Sequence, residues 1–301
     1  MKKKVFLFGL LFSLLLLCGC GVNLTSTVKL NKDFSGTRVM SCTFSSRDFH
    51  SYFKGSKEDL NKLIKESCPD ALTYTSSSSD GNDTYTFYLR FSSLDDYKKK
   101  VRDLLNFSPE ITYEYGDSPF VSGLIYKENF TSKDLMTWLY TALYEGKYID
   151  KDSSSDLWDL KSTEISFLGT TYETKDKINI DEMAYVPLSS IHIDTKTKKS
   201  GKLARVIEFD LPQQTLDQNA GKIRSYFAGN DITWENTSDG KTLCISFDAN
   251  NFSDLAQKTR TVLHSKNSFG TYSSTCSKDN PFTLKINYEE SLDLSHFIQK
   301  N

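Results

Sequence analysis

Four short patterns recur in the same order in the two halves of this 301-residue chain. A period of this kind indicates that one folding unit has been duplicated, which restricts the chain to folds that can be built from two similar parts. The segment 28–36 aligns with 193–201, 79–81 with 238–240, 94–105 with 252–263, and 117–120 with 279–282. We therefore predict two tandem copies of one unit.

Each half contains the signals of paired strands interrupted by two helices. Ser-Gly at 35–36 and 200–201 and Asp-Gly at 80–81 and 239–240 are typical of hairpin turns, because glycine accepts positive φ. Strands beside these turns alternate apolar and polar residues, which predicts one buried face, although Arg205 breaks the alternation in its strand. The predicted unit is ββαββαββ, an α+β fold with mainly antiparallel sheets and helices packed on one face.

The duplication also sets the predicted domain boundaries. We expect a signal peptide at 1–19, the first α+β repeat at 20–146, a connecting loop and hairpin at 147–188, and the second repeat at 189–301. A helix over 131–146 is expected to close the first repeat, with Gly146 at its C-cap. Trp158 falls in a serine-rich loop of the connection, where an exposed tryptophan would be a possible partner contact.

The first 20 residues predict a location. Three lysines precede an apolar run from Val5 to Leu17, which is shorter than the roughly 20 residues of a membrane-spanning helix. Basic residues followed by a short apolar segment are typical of a secretory signal. The end of this signal, Leu17-Cys18-Gly19-Cys20, resembles the lipobox of bacterial lipoproteins, with Cys18 in place of the usual Ala, Ser or Thr.

The resemblance to lipoproteins implies that Cys20 receives a diacylglyceryl group and becomes the first residue of the mature chain. Two acyl chains give stable membrane anchoring, whereas one binds reversibly. The hairpin with a Ser-Gly turn that follows the cysteine is similar to the lipoprotein domain of the mycobacterial LppM type. That likeness implies a membrane-tethered domain on the extracytoplasmic face without an established catalytic site.

Charge and cysteine content narrow the possible partners. Removal of residues 1–19 takes away three lysines and no acid, so the net charge changes from −2 to −5, which argues against nucleic acid and a polybasic lipid-binding surface. Cys42, Cys68, Cys244 and Cys276 remain besides Cys20, and they permit three pairings. In an oxidising compartment the economical pairing joins Cys42 to Cys68 and Cys244 to Cys276, with free thiols as the alternative.

No motif in the sequence points to catalysis or to a cofactor. The four histidines (His50, His192, His264 and His296) are far apart in sequence, and neither a metal-binding spacing nor a nucleophile motif is present. We therefore expect no enzyme activity, no metal and no cofactor. The leading prediction is a lipid-anchored protein of the cell membrane that binds an envelope protein, a host molecule or a wall polymer. A solute-binding receptor of a transporter and an anchored hydrolase are the alternatives.

Overall fold

A computed structural model describes residues 22–46, 53–150, 157–265, 268–276 and 284–298. Cys20 and the rest of the predicted signal, His50, and the second Asp-x-Pro-Phe turn at 279–282 lie outside these residues. The described chain is a mixed α+β protein with mainly antiparallel sheets and five α-helices. It forms two compact units: unit 1 contains the described residues up to Glu114 together with Ile125–Asp181, and unit 2 contains Tyr115–Leu124 and the described residues from Glu182 onwards.

Unit 1 is built on a six-stranded sheet with the order β3-β4-β2-β1-β7-β8, in which only the β1–β7 pair is parallel. The elements from β1 to β9 are β1 (Val22–Leu30), β2 (Gly36–Ser45), α1 (Lys57–Ser67), β3 (Thr73–Ser79), β4 (Asn82–Phe91), α2 (Leu94–Leu105), β5 (Ile111–Asp117), β6 (Val121–Glu128), a 3₁₀ turn (Asp134–Met136), α3 (Thr137–Glu145), β7 (Trp158–Phe167), β8 (Thr170–Thr174) and β9 (Asn179–Asp181). Strands β5 and β6 are shared, because residues 115–117 and 121–124 belong to unit 2.

Three helices cover the buried face of this sheet. The alternation predicted for β4 is confirmed, since Tyr85, Phe87, Leu89 and Phe91 are all buried. Helix α1 reaches this face through Asn61, which accepts a hydrogen bond from the Tyr85 hydroxyl (2.8 Å). Helix α3 reaches it through Trp138, whose ring lies 5.4 Å from that of Phe87. Alternating apolar residues therefore give the sheet a single face on which helices pack.

Unit 2 is built on a four-stranded antiparallel sheet with the order β11-β12-β14-β13. Its core gathers buried residues of β12, β14 and two helices with Phe120 and Phe297. The elements are β10 (Ala184–Tyr185), β11 (Ser190–Thr197), β12 (Leu203–Pro212), α4 (Gln213–Tyr226), β13 (Asp231–Asn236), β14 (Gly240–Ala249), α5 (Phe252–Val262), and the hairpin of β15 (Phe269–Cys276) with β16 (Leu284–Ser291).

The first hairpin loop has the same geometry in both units. In 31–35, Asn31 N–H donates to the Ser35 carbonyl and Phe34, at φ 61°, donates to the Asn31 carbonyl. In 198–202 the same two bonds join equivalent positions, with Gly201 at φ 78°. Gly201 therefore occupies the position of Phe34, so the predicted alignment of the two Ser-Gly pairs is wrong by two residues.

The Asp-Gly turns differ from each other. Asp80 and Gly81 both have positive φ, which confirms the predicted type I′ hairpin. At the second turn, β13 ends at Asn236 and β14 begins at Gly240, so three residues form the loop and the type I′ prediction is wrong. Gly240 is needed there for close approach, since a Cβ would lie 2.0 Å from the Leu211 carbonyl oxygen.

The central helices of the two units begin with equivalent caps. The Ser93 side chain accepts from the Asp96 N–H (3.2 Å) at the start of α2, and the Asn251 side chain accepts from the Asp254 N–H (2.9 Å) at the start of α5. Each cap satisfies a backbone donor that has no partner within its helix. The predicted cap of α1 is confirmed as well, because Ser56 and Asp59 form a capping box.

The observed division of the chain differs from the predicted boundaries. The predicted connecting hairpin is real, with Leu168 and Gly169 at its turn, but it completes the first sheet: β7 pairs in parallel with β1 and antiparallel with β8. Residues 20–146 therefore do not form a complete unit. The segment Tyr115–Leu124, which was assigned to the first repeat, belongs to unit 2.

Candidate functional site

The residues singled out from the sequence do not form a common site in the described chain. Trp158 is only 6% exposed and is the first residue of β7, where its ring packs edge-on against Phe44 at 6.5 Å. The prediction that it lies in an exposed loop is wrong, because the parallel pairing of β7 with β1 carries it into the core. Trp158 therefore cannot serve as a surface contact in this conformation.

The cysteines of the first half are not paired. Cys42 is a buried free thiol on the inner face of β2, and Cys68 is a free thiol at the C-cap of α1, where it lies near the Pro69 carbonyl oxygen. The predicted Cys42–Cys68 disulfide is therefore not formed. Burial raises the pKa of both thiols, Cys42 far more strongly. Cys244 is also a free thiol, and the side chain of Cys276 lies outside the described residues.

Each of the described histidines contacts different residues. His192 is exposed with Nε2 3.7 Å from an Asp210 carboxylate oxygen, and the His264 ring nitrogen lies 3.0 Å from the Tyr226 carbonyl oxygen. The backbone carbonyl of His296 accepts a hydrogen bond from the Ser118 hydroxyl. Within the described ranges, no three His, Cys, Asp or Glu side chains are arranged to hold a metal ion.

A buried ion pair lies at the centre of unit 1. Arg38 on β2 donates to Glu128 at the end of β6 (2.7 Å), and both side chains are at most 1% exposed. The hydroxyls of Tyr97 and Tyr126 donate to the same carboxylate, and the second guanidinium nitrogen of Arg38 donates to Ser132 (2.9 Å). Burial raises the pKa of both tyrosines well above the usual value. Because both charged side chains are buried, this network is part of the core of unit 1 and not a binding site in this conformation.

Unit 2 has a comparable pair at the corresponding strand. Arg205 on β12 donates to Glu290 on β16 (2.8 Å), to the Thr259 hydroxyl (2.7 Å) and to the Thr195 hydroxyl (3.0 Å). The arginine that broke the predicted alternation therefore does face the interior, where a carboxylate neutralises it. The Glu290 side chain is 12% exposed, so this pair is less completely desolvated than the pair in unit 1.

The candidate site is a groove between the three helices of unit 1, which we call the helix groove. It has a volume of about 690 Å³, a size typical of ligand pockets. Its walls are the last turn of α1, the C-terminal end of α2 with the two residues that follow it, and one side of α3. The lining residues are Leu63, Ser67, Leu104, Leu105, Asn106, Phe107, Asp134, Thr137, Trp138, Thr141, Ala142, Glu145 and Gly146.

The helix groove follows from two stripes of residues on α3. Leu139 and Leu143 are buried and fix α3 to the core. On the neighbouring stripe, Thr141 and Ala142 are small, so they leave the space beside Trp138 unfilled. Three- and four-residue spacing places these positions along one side of the helix.

The helix groove combines an apolar floor with an acidic rim. Phe107 stands at the rim with 47% of its surface exposed, immediately after Asn106 ends α2 in a left-handed conformation. The charged lining residues are Asp134 and Glu145, and the lining includes no Lys or Arg. Asp134 also caps its own turn by accepting from the Thr131 N–H (2.7 Å). The surface therefore favours an amphipathic ligand with positive charge.

The sequence analysis missed the helix groove. A usable signal was the pairing of an apolar residue directly after a helix, Phe107, with small residues on an otherwise apolar helix at Thr141 and Ala142. A groove needs this combination of exposed apolar rim and missing side-chain volume. Phe107 and the small residues of α3 form one groove only because α2 and α3 pack side by side, and this packing depends on tertiary contacts.

The fold and site describe a mixed α+β protein with a ligand-sized groove and no metal cluster in the described residues. None of the described helices is long and apolar enough to cross a membrane. Comparison with models of protein families found no match, and comparison with curated proteins found no similar sequence. The likeness to lipoproteins of the LppM type stays a prediction.

Proposed function

We propose that the protein is a non-enzymatic binding protein of the cell envelope, anchored in the membrane through diacylglyceryl-Cys20 on the extracytoplasmic face. The support is the lipobox-like sequence Leu17-Cys18-Gly19-Cys20 after a basic and apolar leader. Strand β1 begins at Val22, so a single residue, Gly21, would separate the lipidated cysteine from unit 1. Unit 1 would then be held at the membrane surface.

The anchor is tested by replacing the acceptor of the lipid. A Cys20→Ser chain should be lost from the membrane fraction, because without two acyl chains the apolar leader is too short to span the bilayer. Cell fractionation and immunoblotting measure this, and Cys18→Ser is the matched control that keeps the acceptor. Retention of the Cys20→Ser chain in the membrane fraction would contradict the proposal.

We further propose that the segments 22–128 and 190–291 are copies of one ββαββαββ ancestor. The order of elements is the same from β1 to β6 and from β11 to β16. The identical loop bonds at 31–35 and 198–202, the equivalent caps at Ser93 and Asn251, and the inward arginines Arg38 and Arg205 support this. A duplicated unit explains why an arginine interrupts an apolar strand face at matching places.

The helix groove is the proposed binding surface, and its occupant is a basic amphipathic helix of another envelope protein. The observation that carries this is the charge of the lining, which is acidic at Asp134 and Glu145 around a floor of Leu104 and Trp138. A helix that lays an apolar face into a groove leaves its polar residues at the rim. Lysines there would meet Asp134 and Glu145, whereas acidic residues would be repelled.

A defined peptide tests the helix groove directly. The probe is a fluorescein-labelled 18-residue amphipathic peptide of leucine and lysine, titrated with the soluble chain from Gly21 at physiological salt and followed by anisotropy. Glu145→Lys should weaken binding by at least about fivefold, since it replaces an attraction by a repulsion. Thr141→Trp should also weaken it, because the exposed position lets the indole fill the groove without entering the core.

The controls separate the groove from general electrostatic attraction. Glu164→Lys makes the same charge change at an exposed position of β7 and should leave affinity within about twofold. A peptide with glutamate in place of lysine should not bind. Equal affinities of Glu145→Lys, Thr141→Trp and Glu164→Lys would refute the groove as the site.

A further inference from the structure

The hairpin of β15 and β16 has a strand edge with no neighbour in the described part of the chain, where these two strands pair only with each other. Tyr272 and Ile286, which share one face of the hairpin, are 59% and 44% exposed. On the same face the Tyr288 ring stacks on Phe252 of α5 at 4.8 Å, which holds the hairpin against the rest of unit 2. The edge of β16 away from β15, which we call the β16 edge, is therefore fixed in place beside exposed apolar side chains. An edge of this kind is a template for pairing with another strand.

Strand β6 shows how the equivalent edge is covered in the first copy of the proposed duplication. It corresponds to β16, because Glu128 near the end of β6 pairs with a buried arginine as Glu290 of β16 does. Strands β9 and β10 both pair antiparallel with β6 on its edge away from β5. Leu124 of β6, which holds the position of Ile286, is only 1% exposed. The equivalent edge is thus completed by antiparallel strands.

The hydrogen bonds of β6 identify the backbone groups at the β16 edge. The Leu124 carbonyl accepts from the Glu182 N–H, and the Glu128 N–H donates to the Ile178 carbonyl (2.9 Å each). Every second residue of a strand directs its N–H and C=O to the same edge, so these groups recur at two-residue intervals along β6. The residues of β16 at the corresponding positions are Ile286, Tyr288 and Glu290.

The sequence of the β16 edge is complementary to itself. In an antiparallel pair of two β16 strands centred on Asn287, Ile286 faces Tyr288 of the second copy on both sides of the centre. Both residues direct backbone groups to this edge, so each facing pair can exchange two hydrogen bonds. Aromatic and β-branched side chains form favourable cross-strand pairs. The same register aligns Lys285 with Glu289 of the second copy, whereas a register centred on Glu289 would align two like charges.

We propose that two copies of the protein associate through their β16 edges and join their hairpins into one antiparallel four-stranded sheet. A two-fold axis at Asn287 relates the copies, so the dimer is closed and leaves no further β16 edge for a third copy. The second copy covers Ile286, as Leu124 is covered in the equivalent strand. A second copy fits better than an unrelated strand because each β16 carries both members of every facing pair. This surface uses no residue of the helix groove.

Disulfide cross-linking at Asn287 tests the partner and the register together. In the proposed pair the two Asn287 Cα atoms lie about 4.5 Å apart, which a disulfide can bridge. In membranes that contain the full chain, Asn287→Cys treated with a mild oxidant should give a disulfide-linked homodimer on non-reducing electrophoresis that the wild type does not give. Glu289→Cys is the matched control, since it is exposed on the same strand face. Its two copies would lie about 14 Å apart, too far for a disulfide.

Two substitutions at Ile286 test the strand pairing itself. Ile286→Pro removes an N–H that faces the second copy, and proline is tolerated at a strand edge where the N–H faces solvent. Ile286→Lys keeps the N–H but places a charge opposite Tyr288 of the second copy. Each change, combined with Asn287→Cys, should reduce the cross-linked dimer at least about fivefold while the urea midpoint stays within about 0.3 M of the parent.

The outcomes separate a second copy from other occupants of the β16 edge. A homodimer formed by Asn287→Cys, absent with Glu289→Cys and reduced by both Ile286 changes, supports the proposal. The proposal is overturned if Asn287→Cys gives no homodimer or is linked to a different protein instead. Equal cross-linking of Asn287→Cys and Glu289→Cys, or a dimer that neither Ile286 change reduces, would overturn it as well.

Discussion

Replacing Glu128 by glutamine isolates the contribution of the buried ion pair in unit 1. In the wild type, one carboxylate oxygen accepts from Tyr97 and Tyr126, and the other accepts from Arg38 at 2.7 Å. The glutamine carbonyl can keep the two tyrosine bonds, but its NH₂ group then faces the guanidinium, donor against donor. Arg38 is left buried and charged without a counterion.

The expected loss follows from this geometry. Removing one partner of a fully buried pair costs about 3–5 kcal/mol, most of it the penalty of the uncompensated charge. With a urea dependence of about 2 kcal/mol per molar, the unfolding midpoint of unit 1 should fall by roughly 1.5–2.5 M. Glu290→Gln should cost less, about 1.5–3 kcal/mol, because Glu290 is partly exposed and Arg205 keeps two threonine partners.

Tryptophan fluorescence can assign the transition to unit 1. Trp138 and Trp158 lie in unit 1 and Trp234 in unit 2, so a Trp234→Phe background reports on unit 1 alone. The double variant Arg38→Met/Glu128→Gln should recover part of the loss, since methionine removes the buried charge while the glutamine carbonyl still accepts from both tyrosines. A loss below about 1 kcal/mol for Glu128→Gln, or a double variant less stable than the single one, would refute the reasoning.

Two further predictions concern the thiols and the helix caps. In the native chain at pH 8, iodoacetamide should modify Cys68 well before Cys42, because burial shields the Cys42 thiol and raises its pKa. Peptide mass spectrometry measures the modification of each cysteine. A disulfide-linked peptide that contains both cysteines would contradict the prediction. Ser93→Ala and Asn251→Ala should each lower the free energy of unfolding, measured in urea, by about 1 kcal/mol, because each removes the acceptor of a helix N–H. Decreases below about 0.3 kcal/mol for both variants would contradict the capping role.

Local signals in the sequence predicted most of the strands and helices. Alternation predicted the buried face of β4, glycine chemistry predicted the turn at Asp80-Gly81, and the spacing of Ser56 and Asp59 predicted the start of α1. These features depend on residues that are close in the chain. The same reasoning failed at Asp239-Gly240. There the backbone of Gly240 approaches the Leu211 carbonyl of β12 too closely for a Cβ, and this contact between strands far apart in sequence constrains the loop.

Long-range pairing was the part that the sequence did not reveal. Trp158 was placed in a loop because serines precede it, yet its position is decided by parallel pairing with Val22. Likewise, Arg38 donates hydrogen bonds to Tyr97 and Glu128, and both residues lie far from it in the sequence. The helix groove depends on the same kind of contact, so it could not be predicted from spacing alone.

The parallel pairing of β1 with β7 has a consequence for the order in which the chain folds. Val22 and Trp158 lie side by side although 136 positions separate them, so the sheet of unit 1 cannot be completed until about half of the chain has emerged. Closing so long a loop costs little in equilibrium stability but slows folding. In the lipoprotein proposed above, exported from its N-terminus, β1 would have no partner on its β7 side while the acyl chains are attached to Cys20. The proposed lipidation would thus take place at Cys20 before β7 pairs with β1.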